Sequence, residues 1–248
     1  MVSFNPYCSR YEPQPPLNNY EQQRRQSSPE KQTAHIPMLT YGPDLNFSIA
    51  GASPAEIIDI GQKLTFYSPY IVPFSFSSPF SQGQRWEGLS MRTYLRTGDR
   101  PAVMVFLQSP EDLIASQPSL TKIARVPAEV GRIEFKAFDS TDNFQLYAAL
   151  LALLKGIALD QSLPGRATVP DRALHQTVAV QGFANEAIRQ QTAQVLQAAE
   201  TALVEDCDRQ LLHPLHTMLQ QQETPAHPLI RKFEQCGTLE QTLRQTYR

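Results

Sequence analysis

The sequence predicts an α+β protein in which the strands precede most of the helices. Residues 132–137 alternate charged and apolar side chains with the period of two that is typical of a half-buried strand. From Asp171 onward, apolar residues recur at the spacing of amphipathic helices. We therefore expect a strand-rich part over 41–140 and a helical part over 141–248 that ends as a bundle.

The first 40 residues differ from the rest in composition, because their prolines lie among Gln, Asn and Ser. Such a segment has few apolar side chains to bury. We interpret residues 1–40 as an extended or partly disordered arm and residues 41–248 as a single domain. The prolines that carry this interpretation are Pro13, Pro15, Pro16, Pro29 and Pro37.

Two strands and a helix are predicted after the arm. Residues 45–49 alternate as a strand does, and residues 101–108 are apolar enough for a short buried strand. Between them, Ser53 is a helix cap followed by proline at the first helical position. We expect this helix to end before Pro69.

Residues 132–157 join a charged strand to an apolar helix, and here we place a reactive site. Arg132, Glu134 and Lys136 share one strand face, and residues 139–142 offer turn and cap oxygens before the helix. The helix is apolar over most of its surface, which predicts that it is buried. The alternative is a solvated strand face with weak ion pairs. Further helices are predicted over 184–205, 211–222 and 239–247.

Three segments support a family assignment when they are taken together. Glu134, Lys136 and Asp139 precede the apolar helix, residues 74–80 read FSFSSPF, and a glycine turn and Arg92 follow. These features resemble the glutamate–cysteine ligases of the bacterial and plant-like type and the related carboxylate-amine ligases. That family has a Glu-x-Arg-x-x-Asp pattern on a late strand and a Ser-Ala-Ser-Ser-Pro-Phe segment.

The closing segment 237–248 is also similar to that of the family, so the resemblance covers roughly residues 40–248. It implies a partial antiparallel sheet with packed helices, like the catalytic domain of glutamine synthetase. It also implies a role in glutathione biosynthesis, with ATP and Mg²⁺ as cofactors and with glutamate and cysteine as substrates.

The resemblance also implies roles for individual residues. Glu134 would be a metal ligand, and Lys136 would contact the transferred phosphate as a catalytic residue. Lys136 and Asp139 would help to bind ATP, and Arg92 would clamp the substrate carboxylate. Positioning and electrostatic stabilisation do nearly all the catalytic work in such phosphoryl transfers.

Departures from the family pattern support a different function. The chain is shorter than usual for the family, and the acidic strands that it lacks belong at the N-terminus. Asn46 and Ser48 stand where the family has histidine and glycine, and Lys136 replaces an arginine that forms a bidentate fork. The alternatives to a divergent ligase are therefore a non-catalytic scaffold or regulatory binding protein, or one half of a split enzyme. The other half would come from a homodimer or from a separate N-terminal partner.

Composition excludes several classes of protein. The net charge of -2 and the dispersed basic residues argue against nucleic-acid binding. No apolar run approaches the roughly 18 residues of a membrane span. Three scattered cysteines suit free thiols in a reducing compartment, which predicts a cytoplasmic protein.

A few other polar residues allow a site as well as an ordinary role. His213 and His216 have a spacing that suits metal ligands, but Pro214 lies between them and we favour a surface helix. His175 is isolated, which also favours the surface. Trp86 is more plausibly a loop anchor than a ligand platform. Four spaced arginines could bind carboxylate or phosphate groups, or they could lie on a solvated loop. They are Arg85, Arg92, Arg96 and Arg100.

Overall fold

Backbone pairing brings four strands into one sheet. In chain order they are β1 (Leu45–Phe47), β4 (Val103–Leu107), β5 (Thr121–Ile123) and β6 (Ile133–Phe135), and within the sheet their order is β1, β6, β4, β5. β6 pairs antiparallel with β1 and with β4, whereas β5 runs parallel to β4. The sheet is therefore mixed, and the expectation of an antiparallel sheet was wrong in this respect. Within the described part of the chain, the outer edge of β1 has no strand partner.

The computed structural model describes residues 3–8, 10–26, 32–96, 98, 100–109, 111, 113–114 and 120–247. A separate hairpin joins β2 (Phe80–Ser81) to β3 (Gln84–Arg85). Its two turn residues, Gln82 and Gly83, both have positive φ angles, of 54° and 77°. This is the geometry of the tight turn that matches the twist of a hairpin, and it confirms the predicted glycine turn.

Helices make up most of the remaining structure, so the α+β class predicted from the sequence is confirmed. Among the described residues, no helix is both long enough and apolar enough to cross a bilayer. The helices are α1 (Asn19–Gln26), α2 (Pro54–Ile71), α3 (Met91–Arg96), α4 (Phe144–Leu159), α5 (Arg172–Gln181), α6 (Glu186–Ala202), α7 (Asp206–Leu211), α8 (His213–Gln221), α9 (Ala226–Cys236) and α10 (Leu239–Thr246).

One face of the sheet is apolar, and the other carries charged residues beside the buried Met104 and Phe106. Val103, Val105, Ile133 and Phe135 belong to the main hydrophobic core, together with residues of α2, α4 and α6. Neighbouring residues along each strand point to the opposite side of the sheet. Glu134, which pairs with Asn46 on one side and Met104 on the other, therefore lies on the second face.

Helix α2 begins as predicted but passes through Pro69. Ser53 and Glu56 form a complete capping box at its start. Pro69 has no N–H for the carbonyl of Thr65, four residues earlier. The hydroxyl of Ser68 donates to that carbonyl instead, at 2.7 Å. The expected end before Pro69 was wrong because this side chain replaces the lost backbone donor.

Helix α4 is buried, as predicted, and its two ends are fixed by side chains. Asn143 caps the first turn by accepting from the N–H groups of Gln145 and Leu146, so the cap lies just after the predicted residues 139–142. At the other end, the buried ammonium of Lys63 donates to three carbonyls, those of Ile157, Ala158 and Asp160.

Close packing of α4 against α6 depends on Gly156. A Cβ atom at this position would lie 2.5 Å from the carbonyl oxygen of Ala199. The two helices are thus closer than any side chain at residue 156 would allow, which places α6 directly on the buried helix.

The start of the chain is anchored to the domain. Phe4 is fully buried, and the hydroxyl of Ser3 contacts Ser77 and the backbone of Ser140. Residues 19–26 form α1, a helix that the interpretation as an extended arm did not include. The apolar contact at Phe4 comes from the few hydrophobic residues at the beginning of the sequence.

Replacing Asn143 with alanine tests the cap of α4. The first N–H groups of the helix would lose their acceptor, and we expect the free energy of unfolding to fall by about 1 kcal/mol. Gln145→Ala, at an exposed position in the same turn, is the control and should change stability by less than about 0.5 kcal/mol. Equal effects of the two substitutions in urea denaturation would contradict the role of Asn143.

Candidate functional site

The second face of the sheet carries an ion-pair cluster that we call the charged sheet face, formed by Asp44, Arg132, Glu134 and Lys136. The Nζ atom of Lys136 lies 2.7 Å from Oε1 of Glu134 and 3.0 Å from Oδ2 of Asp44. Nη2 of Arg132 lies 3.8 Å from Oε2 of Glu134. The same Nη2 atom lies 3.3 Å from Oε1 of Glu129, so Arg132 is shared between two carboxylates while Lys136 joins Glu134 to Asp44 beside the edge strand β1.

The cluster is less exposed than a solvated strand face, which is the alternative interpretation of the sequence. Glu134 is only 8% exposed, and the guanidinium of Arg132 lies 3.9 Å from the ring centre of Phe106. Partial burial alone would raise the pKa of Asp44, but Lys136 and a contact with Glu134 outweigh it and lower that pKa overall. Such partly desolvated pairs attract more strongly than exposed ones.

A divalent cation does not fit this arrangement at Glu134. The ammonium of Lys136 already lies between the two carboxylates, and Arg132 approaches Glu134 from the other oxygen. A metal ion would have to bind beside two positive charges or displace them. Among the residues that the structure describes, no group of three or more His, Cys, Asp or Glu side chains could hold a metal ion.

Asp139 and Arg92, the other two predicted site residues, lie in the interior. Their side chains are 0% and 4% exposed, and Nη1 of Arg92 lies 3.7 Å from Oδ1 of Asp139. The guanidinium of Arg92 also donates to the backbone carbonyls of Lys136 and Ala137, at 2.8 Å each. Arg92 therefore supports the end of the strand that presents Lys136.

A set of serines surrounds the Asp139 carboxylate. It accepts hydrogen bonds from the N–H of Ser77 and from the hydroxyls of Ser78 and Ser90, at distances between 2.8 and 3.1 Å. The backbone N–H of Asp139 donates to the hydroxyl of Ser75. Burial raises the pKa of Asp139, while Arg92 and these donors oppose the rise. The two serines of the Ser-Ser-Pro-Phe segment thus bind the buried carboxylate of Asp139.

The spaced arginines do not form one cationic surface. Arg96 is buried and donates to the carbonyl of Pro101 at 2.9 Å, whereas Arg85 is exposed and pairs with Glu234 at 2.8 Å. Trp86 is half-buried and packs edge-on against Tyr94, with 5.2 Å between ring centres, as an anchor would.

The histidines take two different positions. His175 is fully buried, so the expected surface position was wrong; Nδ1 lies 2.8 Å from the carbonyl of Asp171 and Nε2 lies 3.1 Å from the hydroxyl of Ser68. His213 and His216 lie on α8, which begins with Pro214 in its first turn. Nε2 of His216 lies 3.2 Å from a carboxylate oxygen of Glu200.

The sequence indicates Glu134 and Lys136 as site residues but not Asp44, which completes their cluster. The available signal was the acidic residue directly before a predicted strand. Its position opposite Lys136 depends on the pairing of β1 with β6. No family model and no curated protein matches this chain.

Replacing Asp139 with asparagine tests the interior pair. Arg92 would keep its charge without a counter-ion, and removing one partner of a buried pair typically costs about 3 to 5 kcal/mol. We expect a loss of that size in the free energy of unfolding, measured by denaturant titration. Asp142→Asn, at an exposed position three residues later, is the control and should remain within about 0.5 kcal/mol of the wild type. Wild-type stability of Asp139→Asn would contradict the proposed structural role.

His175 should make stability depend on pH. Burial lowers its pKa from 6.5 to about 4. Between these values the unfolded chain takes up a proton that the folded chain does not, so stability falls as pH decreases from about 6.5 to about 4. Over that window the loss should reach about 3 kcal/mol. His175→Gln should lack this part of the decrease and His213→Gln should retain it, and identical pH profiles for the two variants would overturn the assignment.

Proposed function

We propose that this chain is a divergent relative of the glutamate–cysteine ligases that acts as a non-catalytic scaffold or regulatory binding protein. The observation that carries the proposal is the position of the Lys136 ammonium, 2.7 Å from Glu134 and 3.0 Å from Asp44. A ligase of this family would need a divalent cation at such carboxylates. Here a side-chain cation takes that place.

The interior pair supports the same proposal. Arg92 would have to reach a substrate carboxylate in a ligase, but its guanidinium is buried and donates to two backbone carbonyls. Asp139 would have to reach ATP, but its carboxylate is enclosed by serine donors. Both residues stabilise the junction between β6 and α4, and of the Arg92 guanidinium only the buried Nε atom lacks a hydrogen-bond partner.

The free edge of β1 favours a second candidate, an ATP-dependent carboxylate-amine ligase that is complete only with another chain. Asp44 lies at that edge with a side chain 46% exposed. A homodimer contact or a separate N-terminal partner could pair with β1 and add carboxylates beside Glu134. In that case Glu134 would help to bind Mg²⁺, Lys136 would contact the phosphates of ATP, and glutamate and cysteine would be the substrates. Both candidates suit a cytoplasmic protein with three free cysteines.

Calorimetric titration with ATP and Mg²⁺ separates the two candidates. For a scaffold protein we expect no saturable binding up to millimolar ATP, and no ADP release when glutamate and cysteine are added. The reason is that nucleotide phosphates and their metal would have to break the pairs of Lys136 with Glu134 and Asp44.

Glu134→Ala provides the control for this titration. Saturable ATP binding by the wild type that disappears in Glu134→Ala would refute the scaffold proposal and support the ligase. Binding that persists unchanged in the variant would place the nucleotide away from the charged sheet face.

A further inference from the structure

A cavity of about 550 Å³ lies apart from the charged sheet face, between the start of α4, helix α8, the start of α9 and the end of α10. Its volume is within the range of small-molecule sites. Leu146, Met218 and Leu229 contribute an apolar wall, and three prolines extend it. The cavity is therefore able to hold the apolar part of a small organic ligand.

Two of the threonine hydroxyls of the cavity wall, those of Thr217 and Thr246, are acceptors for a ligand. Thr217 donates its proton to the carbonyl of His213 at 3.2 Å, and Thr246 donates to that of Thr242 at 2.8 Å. A hydroxyl has a single proton and two lone pairs. Because both protons are used inside their own helices, these oxygens can accept a hydrogen bond from a ligand but cannot donate one.

The N-terminus of α4 is partly capped. The N–H groups of Gln145 and Leu146 donate to Oδ1 of Asn143. The usual attraction of a helix N-terminus for anions rests on free N–H groups of this kind. The cap therefore weakens one feature of this wall that would bind a carboxylate or phosphate.

The charges around the cavity have one sign. The carboxylates of Asp142 and Glu223 belong to its wall, and the described residues that line it include no Lys, Arg or His. Glu223 is neutralised by Arg231 at 2.5 Å from outside the lining, which leaves Asp142 as the acid that faces a ligand. Burial, with a contribution from Asp142, raises the pKa of Tyr247 to about 12.

We propose that this cavity binds a small organic amine. The ammonium group would donate to the carboxylate of Asp142 and to a threonine hydroxyl, and the apolar part would pack against Met218 and Leu229. The described lining has no Lys, Arg or His to match a carboxylate or phosphate, and Asp142 would repel such an anion. The proposal does not depend on the resemblance to ligases, because no residue of the charged sheet face takes part.

Paired probes of opposite charge test this proposal on the full chain. Phenethylamine and 3-phenylpropionate share an apolar ring and differ in the charged group. We expect saturable binding of the amine, measured by calorimetry or by saturation-transfer NMR, and at least tenfold weaker binding of the carboxylate. Equal affinity for both probes, or no binding of the amine to the folded protein, would overturn the proposal.

Two variants locate the binding and one serves as a control. Asp142→Asn removes the counter-ion at an exposed position and should weaken amine binding about tenfold, which corresponds to about 1.4 kcal/mol. Met218→Trp should fill the cavity and abolish binding, whereas Met38→Trp adds the same side chain at an exposed position outside the lining and should not. Urea denaturation checks that each variant is folded. If Met218→Trp does not fold, Asp142→Asn decides, and undiminished amine binding in Asp142→Asn would contradict the proposal.

Discussion

Most of the strand-to-helix junction depends on one constraint, the burial of the Asp139 carboxylate. A charge removed from water has to be matched by donors, and the chain supplies them from Ser77, Ser78, Ser90 and Arg92. These residues come from the loop before the hairpin and from the start of α3. One buried side chain therefore fixes the relative positions of segments that are far apart in the sequence.

This constraint changes how polar residues in such a chain are interpreted. An arginine and an aspartate near a Ser-rich loop have the chemistry of a phosphate or carboxylate site, yet the same donors and acceptors can satisfy one another internally. Arg92 shows the result: it holds the carbonyls of Lys136 and Ala137 and thereby positions the strand. The charged sheet face and the cavity near Tyr247 are two places where polar groups of the described residues are not fully enclosed. In the first, the charged side chains pair with one another, and the second presents the carboxylate of Asp142 without a described cation in the lining.

Local signals explain which predictions the structure confirms. The Ser53 capping box and the alternation over 132–137 depend on residues close in sequence, and both are present. Predictions failed where a distant or unexpected partner intervened. Ser68 lets α2 continue through Pro69. His175 is buried in the structure. The prediction of a surface position failed because an isolated histidine in the sequence carries no information about the segments that pack over it.

The sequence by itself determined the α+β class, the alternating strand and the apolar helix α4, because hydrophobic periodicity is a local property of the chain. It also brought out Glu134 and Lys136 as neighbours on one strand face. Only the tertiary structure decided that Asp44 joins them, since this depends on the pairing of β1 with β6. It likewise decided that Arg92 and Asp139 lie inside, because burial is set by packing between distant segments and not by residue type.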